Sequence, residues 1–502
     1  MRGENADVDR RLTASLVALA VSIPVIISLA QGIGRPYTLT PDADIIYVGE
    51  VLRSFDGRPY FYSDHPGYTY TLALSVWLKL LSLLHLIPKP GLAEAVAAPS
   101  IDSYMQAMVW AGRWLSALMA SALVAASAWL VRLGGAPPLV AALFALLLAC
   151  SGGIAVQAII LRAELMSAGF TFLAYCSMAV AARHGGWRGP IWLGLAGFLA
   201  MLAMEAKVQA MIPLLALPPL AVVLDGLKRP LLPGRDDWRT LPLVLVALAL
   251  CMPLAVIVPF SMADFDETRP YGFYQLLIAA WVLAGMAIYA QLNRVRVRGV
   301  MLAVLALAAG MALGLDVLFL RHSHRVMDAV INPLEHMRAF AGGGAQGGLL
   351  QSLAGTIPAM VMGMVRIAYL PLRLMELAAL AGATMLWRGG DGRAALQSVM
   401  LVGVALAVEI VFGLRGMPPW YLIYIEPWVL AALLTPLSRL LSAGGRFRRP
   451  VFWAVAVFLV WTGARALSPD VVPAQPIANV CAQANTYLEP ELAIRFGPTC
   501  RN

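Results

Sequence analysis

Long apolar segments recur along nearly the whole chain and constrain its fold more than any other feature of the sequence. A helix needs about 20 mostly apolar residues to cross the hydrocarbon core of a bilayer, and about thirteen segments approach that length. Because 60% of the 502 residues are hydrophobic and only 13% are charged, most of the chain cannot form a solvated exterior. We therefore predict an all-α, polytopic transmembrane protein. The predicted spans are 12–31, 105–131, 137–160, 165–182, 190–206, 208–225, 241–260, 274–293, 299–320, 367–387, 394–414, 420–441 and 450–466.

The basic residues cluster in short loops between these spans, which is the charge bias that orients inserted proteins. With a cytoplasmic N-terminus, the alternation of spans puts the arginine-bearing loops on the inner face of a bacterial inner membrane and the C-terminus in the periplasm. These loops are at Arg132, 183–188, 228–239, 294–298, 388–393 and 446–449. The net charge of +9 is thereby explained without a nucleic-acid partner.

The same alternation divides the chain into a transmembrane domain, 1–466, and a periplasmic tail, 467–502. Two large loops of the domain, 32–104 and 321–366, are predicted on the outer face. Within the second loop, 349–365 suits a span, a re-entrant piece or a surface helix, and the sequence leaves these alternatives open.

Segment 66–87 is apolar enough to span, but counting it as a span would reverse every later loop and violate the charge bias. We predict instead that it is a helix lying in the membrane interface. Tyr68, Tyr70, Trp77 and Lys79 are its expected anchors at the lipid surface.

The cysteines and histidines predict no metal site. Five cysteines are spread along the chain, and His322 and His324 lack a third ligand at a defined spacing. In a periplasmic tail, Cys481 and Cys500 could form a disulfide, which the loop-entropy estimate values at about 3 kcal/mol; the sequence leaves open whether they do.

Asp42 and Asp44 follow the first predicted span and are separated by a single residue. In an extended or turn segment this spacing points both carboxylates the same way, where they could share a proton, a divalent cation or an attacking hydroxyl. An alternative is that the acids only cap the helix that follows, since Asp is favoured at helix N-caps. Both interpretations stay open at this point.

Asp64 and His65 precede Pro66 and Gly67 at the start of the predicted interfacial helix. Asp, Pro and Gly are favoured in turns, so a plain turn explains this sequence. The functional alternative is that Asp64 or His65 lies beside the acidic pair and orients a phosphate or an acceptor.

Ionisable residues recur where predicted spans end on the outer face. Arg162 and Glu164 lie at one such end, and Glu205 and Lys207 lie at another. Arginine and lysine can bind a lipid phosphate there, and charges at membrane depth usually have a use. Snorkelling of the basic side chains or an internal ion pair, such as Glu205 with Lys207, explains them equally well.

Two later segments carry further polar groups. Arg373 and Glu376 are three residues apart on one face of a predicted span and are expected to neutralise each other. Arg415 precedes an aromatic-rich segment with Tyr421, which suits either a headgroup site or an interfacial aromatic belt.

With these residues in place, the chain resembles the GT-C glycosyltransferases that use polyprenyl-phosphate sugars, the group of the aminoarabinose transferases and protein O-mannosyltransferases. The likeness is strongest over the first two-fifths of the chain. The matching elements are Asp42-Ala43-Asp44, Tyr47, His65-Pro66-Gly67, Arg113, Arg162-Ala163-Glu164, Lys207 and 420–427. The chain departs from the family pattern in having Asp-Ala-Asp in place of adjacent acids and in lacking a second proline after Pro66.

The resemblance implies an inverting transfer of a sugar from a polyprenyl phosphate to a lipid, glycan or protein acceptor at the membrane's outer face. In this interpretation Asp44, or else Asp42, is the base or acceptor-orienting residue, and basic side chains neutralise the leaving phosphate. The implied phosphate ligands are Arg162, Lys207, Arg113 and Arg415. The implied substrate contacts are Tyr47, Asp64, His65, Glu164 and Tyr421. A divalent metal near Asp42 and Asp44 stays open.

Two other classes of protein fit the same sequence. A secondary transporter or lipid flippase would share the polytopic architecture, although the sequence shows no convincing internal repeat. A non-catalytic subunit of an envelope assembly would share it without the reaction. The sequence has no glycine-rich phosphate loop of the kind that binds nucleotides, which agrees with a lipid-borne donor.

Overall fold

The computed structural model describes a helical chain. It covers residues 2–39, 43–58, 67–184, 188–224, 242, 245–246, 249, 280–288, 291, 297–317, 369–413, 419–442, 445–468, 481, 488 and 490–496. Within these ranges every regular element is a helix, and no β-strand is present.

The helices of the described ranges are numbered here in chain order. They are α1 Arg2–Ile27, α2 Ala43–Phe55, α3 Tyr68–Leu83, α4 Leu92–Ala97, α5 Ile101–Leu133, α6 Pro138–Ala149, α7 Gly152–Gln157, α8 Glu164–His184, α9 Gly189–Ala206, α10 Met211–Leu215, α11 Leu217–Val223, α12 Val297–Leu315, α13 Leu370–Arg388, α14 Gly392–Gly413, α15 Glu426–Ser442, α16 Gly445–Ala466 and α17 Pro490–Phe496. A 3-10 helix, Pro419–Tyr424, precedes α15.

Six helices in the described ranges are long and apolar enough to cross a bilayer, and each coincides with a span predicted from the sequence. They are Arg11–Gly32, Ile101–Leu133, Glu164–His184, Gly189–Ala206, Leu370–Arg388 and Gly392–Gly413. The chain is therefore a helical membrane protein. Most of the predicted span 241–260 and half of the predicted span 274–293 fall outside the described residues.

The prediction of one continuous span over 137–160 is wrong. The helix ends at Ala149 and restarts at Gly152, because the side chain of Ser151 accepts a hydrogen bond from the Ile154 backbone and caps a new helix. The free backbone N–H groups at the start of this helix bind the carboxylate of Glu426, which lies far away in the sequence. A distant side chain thus stabilises the break.

The predicted span 208–225 is also not one helix. It consists of a 3-10 turn, Val208–Ala210, followed by α10 and α11. Prolines at 213, 218 and 219 remove backbone donors, and α11 starts with proline in its first turn. This irregular segment leads the chain away from α9 just after Lys207.

Helix α3 lies within segment 66–87, where the sequence predicted an interfacial helix, and with 16 residues it is shorter than a span requires. The expected lipid anchors are only partly where they were predicted. Tyr68 and Tyr70 are buried inside the protein, and the Trp77 indole donates a hydrogen bond of 2.8 Å to a carbonyl of α5. Lys79 is exposed. The tyrosines are buried because α3 packs against α2 and α5 rather than only against lipid.

Helix α5 organises the first half of the fold. Its 33 residues extend about 50 Å, which exceeds the roughly 30 Å hydrocarbon core of a bilayer. Helices α1, α6 and α8 pack along it, and α2 and α3 pack on it as well. Arg113 lies in the first half of α5 and faces this assembly.

Helices α9 and α12 approach each other unusually closely. A Cβ atom placed on Gly310 would lie 1.8 Å from the carbonyl oxygen of Gly194, and one placed on Gly197 would lie 2.3 Å from that of Leu307. Small residues at such a crossing allow two membrane helices to make backbone contact. This contact holds α9 against α12 and so fixes the position of Lys207, which follows the last residue of α9.

The polar tail 467–502 is described in part. Cys481 is bonded in a disulfide, but Cys500, its predicted partner, lies outside the described residues. Leu488 and Leu492 are buried in the cluster that also contains residues of α2, α3 and α5. This part of the tail therefore packs against α2, α3 and α5.

Candidate functional site

Asp44 and Arg113 form a buried ion pair between α2 and α5. One carboxylate oxygen of Asp44, Oδ2, accepts hydrogen bonds from Arg113 Nε at 3.2 Å and from Nη2 at 3.0 Å. The side chains are 2% and 0% exposed. Arg113 Nη1 also donates to the carbonyl of Gly32 at 2.8 Å and to the carbonyl of Arg35. The two opposite charges therefore neutralise each other in a place that excludes water.

The other carboxylate oxygen of Asp44 contacts the segment between α7 and α8. Oδ1 accepts a hydrogen bond of 2.7 Å from the backbone N–H of Leu161. An ionised carboxylate has about four acceptor positions, and these three bonds leave one on Oδ1. Chemically, Asp44 can accept one further proton donor such as a hydroxyl.

Arg35 lies near this pair and was not singled out in the sequence. Burial lowers the pKa of the half-buried Arg35 guanidinium, the charge of Arg113 lowers it further, and the charge of Asp44 raises it. The charges of two guanidinium groups, those of Arg113 and Arg35, thus interact with the Asp44 carboxylate. In the sequence, only the position of Arg35 just beyond the first predicted span indicated that it could belong to the site.

A second ionic cluster begins one residue after Leu161. Glu164 Oε1 accepts hydrogen bonds from Lys207 Nζ at 2.6 Å and from Arg162 Nη1 at 3.2 Å. The side chains of Glu164, Lys207 and Arg162 are 0%, 4% and 7% exposed. Oε2 of Glu164 is buried and has no hydrogen-bond partner. The ion pair of Glu205 with Lys207, one of the alternatives left open by the sequence, does not form. Lys207 binds Glu164 instead, and both Glu205 oxygens lack hydrogen bonds.

Trp420 covers the guanidinium of Arg162. The Cζ atom of Arg162 lies 4.2 Å from the ring centroid, a cation–π geometry that favours a desolvated charge. Gln157 Nε2 donates a 2.9 Å hydrogen bond to the carbonyl of Trp420 and so holds the 3-10 helix against α7. The sequence included Trp420 in an aromatic segment but gave no sign of its partner.

Tyr421 and Tyr424 follow Trp420 in the same 3-10 helix. Tyr421 stacks on Phe412 of α14, with ring centroids 4.2 Å apart and planes 5° apart, and is buried. Tyr424, which belongs to the aromatic segment 420–427 noted in the sequence, is buried within electrostatic reach of Glu164. Both rings contact Phe412, since residues three apart in a 3-10 helix point the same way; the Phe412 and Tyr424 centroids are 5.3 Å apart.

Tyr70 connects the two ionic groups. Burial raises the pKa of the Tyr70 hydroxyl above its ordinary value; the hydrogen bond to Ser116 opposes that rise, and the charges of Asp44 and Glu164 add to it. Tyr70 shares its 3.1 Å hydrogen bond with the Ser116 hydroxyl. Tyr47 packs edge-to-face on Tyr70, with centroids 5.0 Å apart. Both carboxylates therefore lie near one tyrosine.

Gly67 lies beside Tyr47 at the start of α3. It has a left-handed backbone with φ 53°, and its N–H donates to the carbonyl of Ala206 at 2.8 Å, beside Lys207. A Cβ atom here would lie 2.7 Å from the Tyr47 ring. The position requires glycine for both reasons.

Four residues selected from the sequence are not located by the structure. Asp42, Asp64, His65 and Arg415 lie outside the described residues. The described residues that come together are Asp44, Arg113, Arg162, Glu164 and Lys207, with Tyr47 and Tyr70 beside them. No group of three or more His, Cys, Asp or Glu side chains with metal-binding geometry occurs in the described ranges. Asp44 itself faces arginine.

Comparison of the chain with protein-family models, with curated proteins and with solved structures gives no match. The geometry of the two ionic groups is therefore the basis for assigning a function.

Proposed function

We propose that this protein is a GT-C-type membrane glycosyltransferase that transfers a sugar from a polyprenyl phosphate to a lipid, glycan or protein acceptor. The observation that supports this proposal most is the short segment from Leu161 to Glu164. It contacts the Asp44 carboxylate at one end and carries the Arg162–Glu164–Lys207 cluster at the other. An acid that can orient a hydroxyl is thus placed beside cations that can bind a phosphate.

The proposed reaction uses the remaining acceptor position on Asp44 Oδ1. The acceptor hydroxyl donates its proton to this oxygen as its own oxygen attacks the anomeric carbon. The bond from that carbon to the phosphate oxygen breaks, and the phosphate leaves with the bonding electron pair. The proton passes to Asp44, so atoms and charge balance without a metal ion or a nucleotide.

Arg162 and Lys207 are the proposed phosphate ligands. Negative charge grows on the leaving phosphate as its bond to the sugar breaks, and pre-oriented cations stabilise that charge most in a site that excludes water. In the described structure both cations bind Oε1 of Glu164. Glu164 thereby holds both cations in position. Its second oxygen, Oε2, has no hydrogen-bond partner, so the hydrogen bonds of the cluster can rearrange when phosphate binds.

The charge bias of the loops supports an outer-face site. Under the predicted topology, the ends of α8 and α9 that carry Glu164 and Lys207 face the periplasm of a bacterial inner membrane. A donor carried by a polyprenyl chain would approach this site from the lipid. No nucleotide pocket is then required.

A reconstituted assay tests the proposal. The full-length protein in lipid nanodiscs is given polyprenyl-phosphate sugars with a mixture of envelope acceptors, and release of free polyprenyl phosphate is measured by mass spectrometry. We expect release with the wild type and at least a hundredfold less with Lys207→Met. Lys89→Met is the matched control, because Lys89 is exposed and pairs with nearby Glu94. Wild-type protein that leaves every donor intact would overturn the proposal.

A transporter or flippase is the second candidate, and one observation favours it. Arg373 of α13 lies between the carboxylates of Glu376 and Glu409, within two helices that are candidate spans. Buried ionisable groups within spans often belong to ion or substrate pathways. The same nanodisc assay discriminates the two functions, since a transporter leaves the bond between sugar and phosphate intact.

A further inference from the structure

A third group of buried ionisable side chains lies between α13 and α14, apart from the candidate site. Arg373 Nη2 is 2.8 Å from Glu409 Oε2, and Arg373 Nη1 donates a hydrogen bond to Glu376 Oε2. The side chain of Glu409 is fully buried, and that of Glu376 is 8% exposed. The sequence pattern paired Arg373 with Glu376 only, so Glu409 is the unexpected member.

The charges of this cluster do not balance. One guanidinium faces two carboxyl groups, so full ionisation would leave one negative charge without a partner in a buried place. Such a charge is costly, and a carboxyl group in this situation takes up a proton instead. The cluster therefore needs one additional positive charge.

Unsatisfied oxygen atoms point to the same requirement. Both carboxyl oxygens of Glu409 and Oε1 of Glu376 are buried without a hydrogen-bond partner. Arg373 Nη2 approaches Glu409 Oε2 to 2.8 Å as an ion contact. A proton on one carboxyl group would let it donate to an oxygen of the other and satisfy two of these atoms.

Neighbouring elements in the described part of the chain bring no second cation to the cluster. Helix α15 packs on both α13 and α14, but its Glu426 binds backbone N–H groups of α7 and its Arg439 pairs with Asp391. Helices α10 and α11 and the 3-10 helix Pro419–Tyr424 also contact α14 and contain no charged residue.

We propose that Glu376 and Glu409 hold one exchangeable proton between them at neutral pH, so that this cluster is a proton-binding site. A metal cation fits less well. Hard cations take six or more oxygen ligands, whereas two carboxyl groups provide four oxygens, two of which already face a guanidinium. A proton needs only one oxygen and an adjacent acceptor.

The cluster lies near one end of its helices. Glu409 is about 6 Å from the end of α14, and Arg373 is about 5 Å from the start of α13, at about 1.5 Å per residue. Phe412, one turn after Glu409, stacks on Tyr421 in the 3-10 helix that carries Trp420. The proton would therefore exchange with the solution on the same side as the candidate site.

Infrared spectroscopy of the full-length protein in nanodiscs tests the proposal. A protonated carboxyl group has a C=O band that is separate from carboxylate bands and shifts in D2O. At pH 7 we expect this band to lose one carboxyl equivalent in Glu409→Gln and in Glu376→Gln, because the remaining glutamate then pairs with Arg373 and ionises. In Arg373→Gln it should gain one equivalent. Glu491→Gln, at an exposed position, is the control and should leave the band unchanged.

Two outcomes would overturn the proposal. One is a wild-type band that stays the same in all three cluster variants. The other is a cluster band that disappears when sodium replaces choline in the buffer, which would show that a metal cation occupies the site.

Labelling of the wild type tests the same proposal without any variant. A hydrophobic carbodiimide reacts with protonated carboxyl groups in apolar surroundings, and mass spectrometry locates the product. We expect modification at Glu376 or Glu409 at neutral pH that falls at alkaline pH. Absence of modification at both residues, under conditions that modify another buried carboxyl group, would contradict a retained proton.

Discussion

Asp44 and Arg113, which are 69 positions apart in the chain, form an ion pair from which water is excluded, with both guanidinium contacts made to a single carboxylate oxygen. The second oxygen of Asp44 is left to bind the N–H of Leu161. The two oxygens of the Asp44 carboxylate therefore make different contacts. Oδ2 joins α2 to α5, and Oδ1 faces the segment that leads to Arg162.

The first prediction concerns the stability that this pair confers. Arg113→Met should lower the free energy of unfolding by about 3–5 kcal/mol, because the Asp44 charge stays buried without its partner. Replacing both residues, as Asp44→Leu with Arg113→Met, should recover most of that loss. Unfolding in detergent, followed by tryptophan fluorescence, measures both changes. Arg58→Met is the control, since its exposed pair with Glu491 is expected to contribute less than about 1 kcal/mol.

The second prediction separates stability from activity. The double variant of Asp44 and Arg113 should fold yet transfer no sugar, because it lacks the oxygen that accepts the hydroxyl proton. Transfer is measured in nanodiscs after the folded fraction has been quantified. A stable double variant with wild-type activity would show that Asp44 serves only the fold.

The third prediction concerns phosphate binding at the second cluster. Lys207→Met should weaken binding of free polyprenyl phosphate by about 10- to 100-fold, the effect of a charge-assisted hydrogen bond worth about 1.5–3 kcal/mol. Glu164→Gln should bind it as tightly as wild type or more tightly, because the competing carboxylate charge is removed. Titration with a fluorescent polyprenyl phosphate measures both. Equal weakening in both variants would mean that the cluster only holds α8 against α9.

The fourth prediction uses two glycines in different surroundings. Gly67→Ala should lower the unfolding free energy by more than the roughly 1–2 kcal/mol cost of a left-handed alanine, since its Cβ would also meet the Tyr47 ring. Gly403→Ala should raise it by about 0.5–1 kcal/mol, because that helical glycine has no atom within 4 Å of its added Cβ. Thermal unfolding compares the pair. Similar shifts in both variants would contradict the strained geometry at Gly67.

The location of individual site residues could be predicted from the sequence only in part. Arg162, Glu164 and Lys207 were selected because they interrupt apolar segments, and the structure brings all three together. The partner of Lys207 was not predictable. Glu205 is closer in the sequence, but it precedes Lys207 by two residues in the last turn of α9, and such positions do not face each other.

For Asp44, too, the sequence predicted the residue but not its partner. Its place after the first span made it a candidate, and its alternative role as a helix-terminal residue was also recognised. Its partner, Arg113, was selected for phosphate, whereas in the structure the guanidinium binds Asp44 and two carbonyl groups. Whether an arginine neutralises a neighbour or a ligand depends on which helices touch, and hydropathy contains no information on that.

The sequence by itself determined that this chain is helical and lies in a membrane, because apolar segments of sufficient length must satisfy their backbone hydrogen bonds internally. The tertiary structure decided where helices break and which charges meet. Glu426 binds the start of α7 from 273 positions away, and Glu409 joins Arg373 and Glu376 from the next helix. Such pairings follow from the packing of whole helices against one another, which brings side chains together that no local pattern connects.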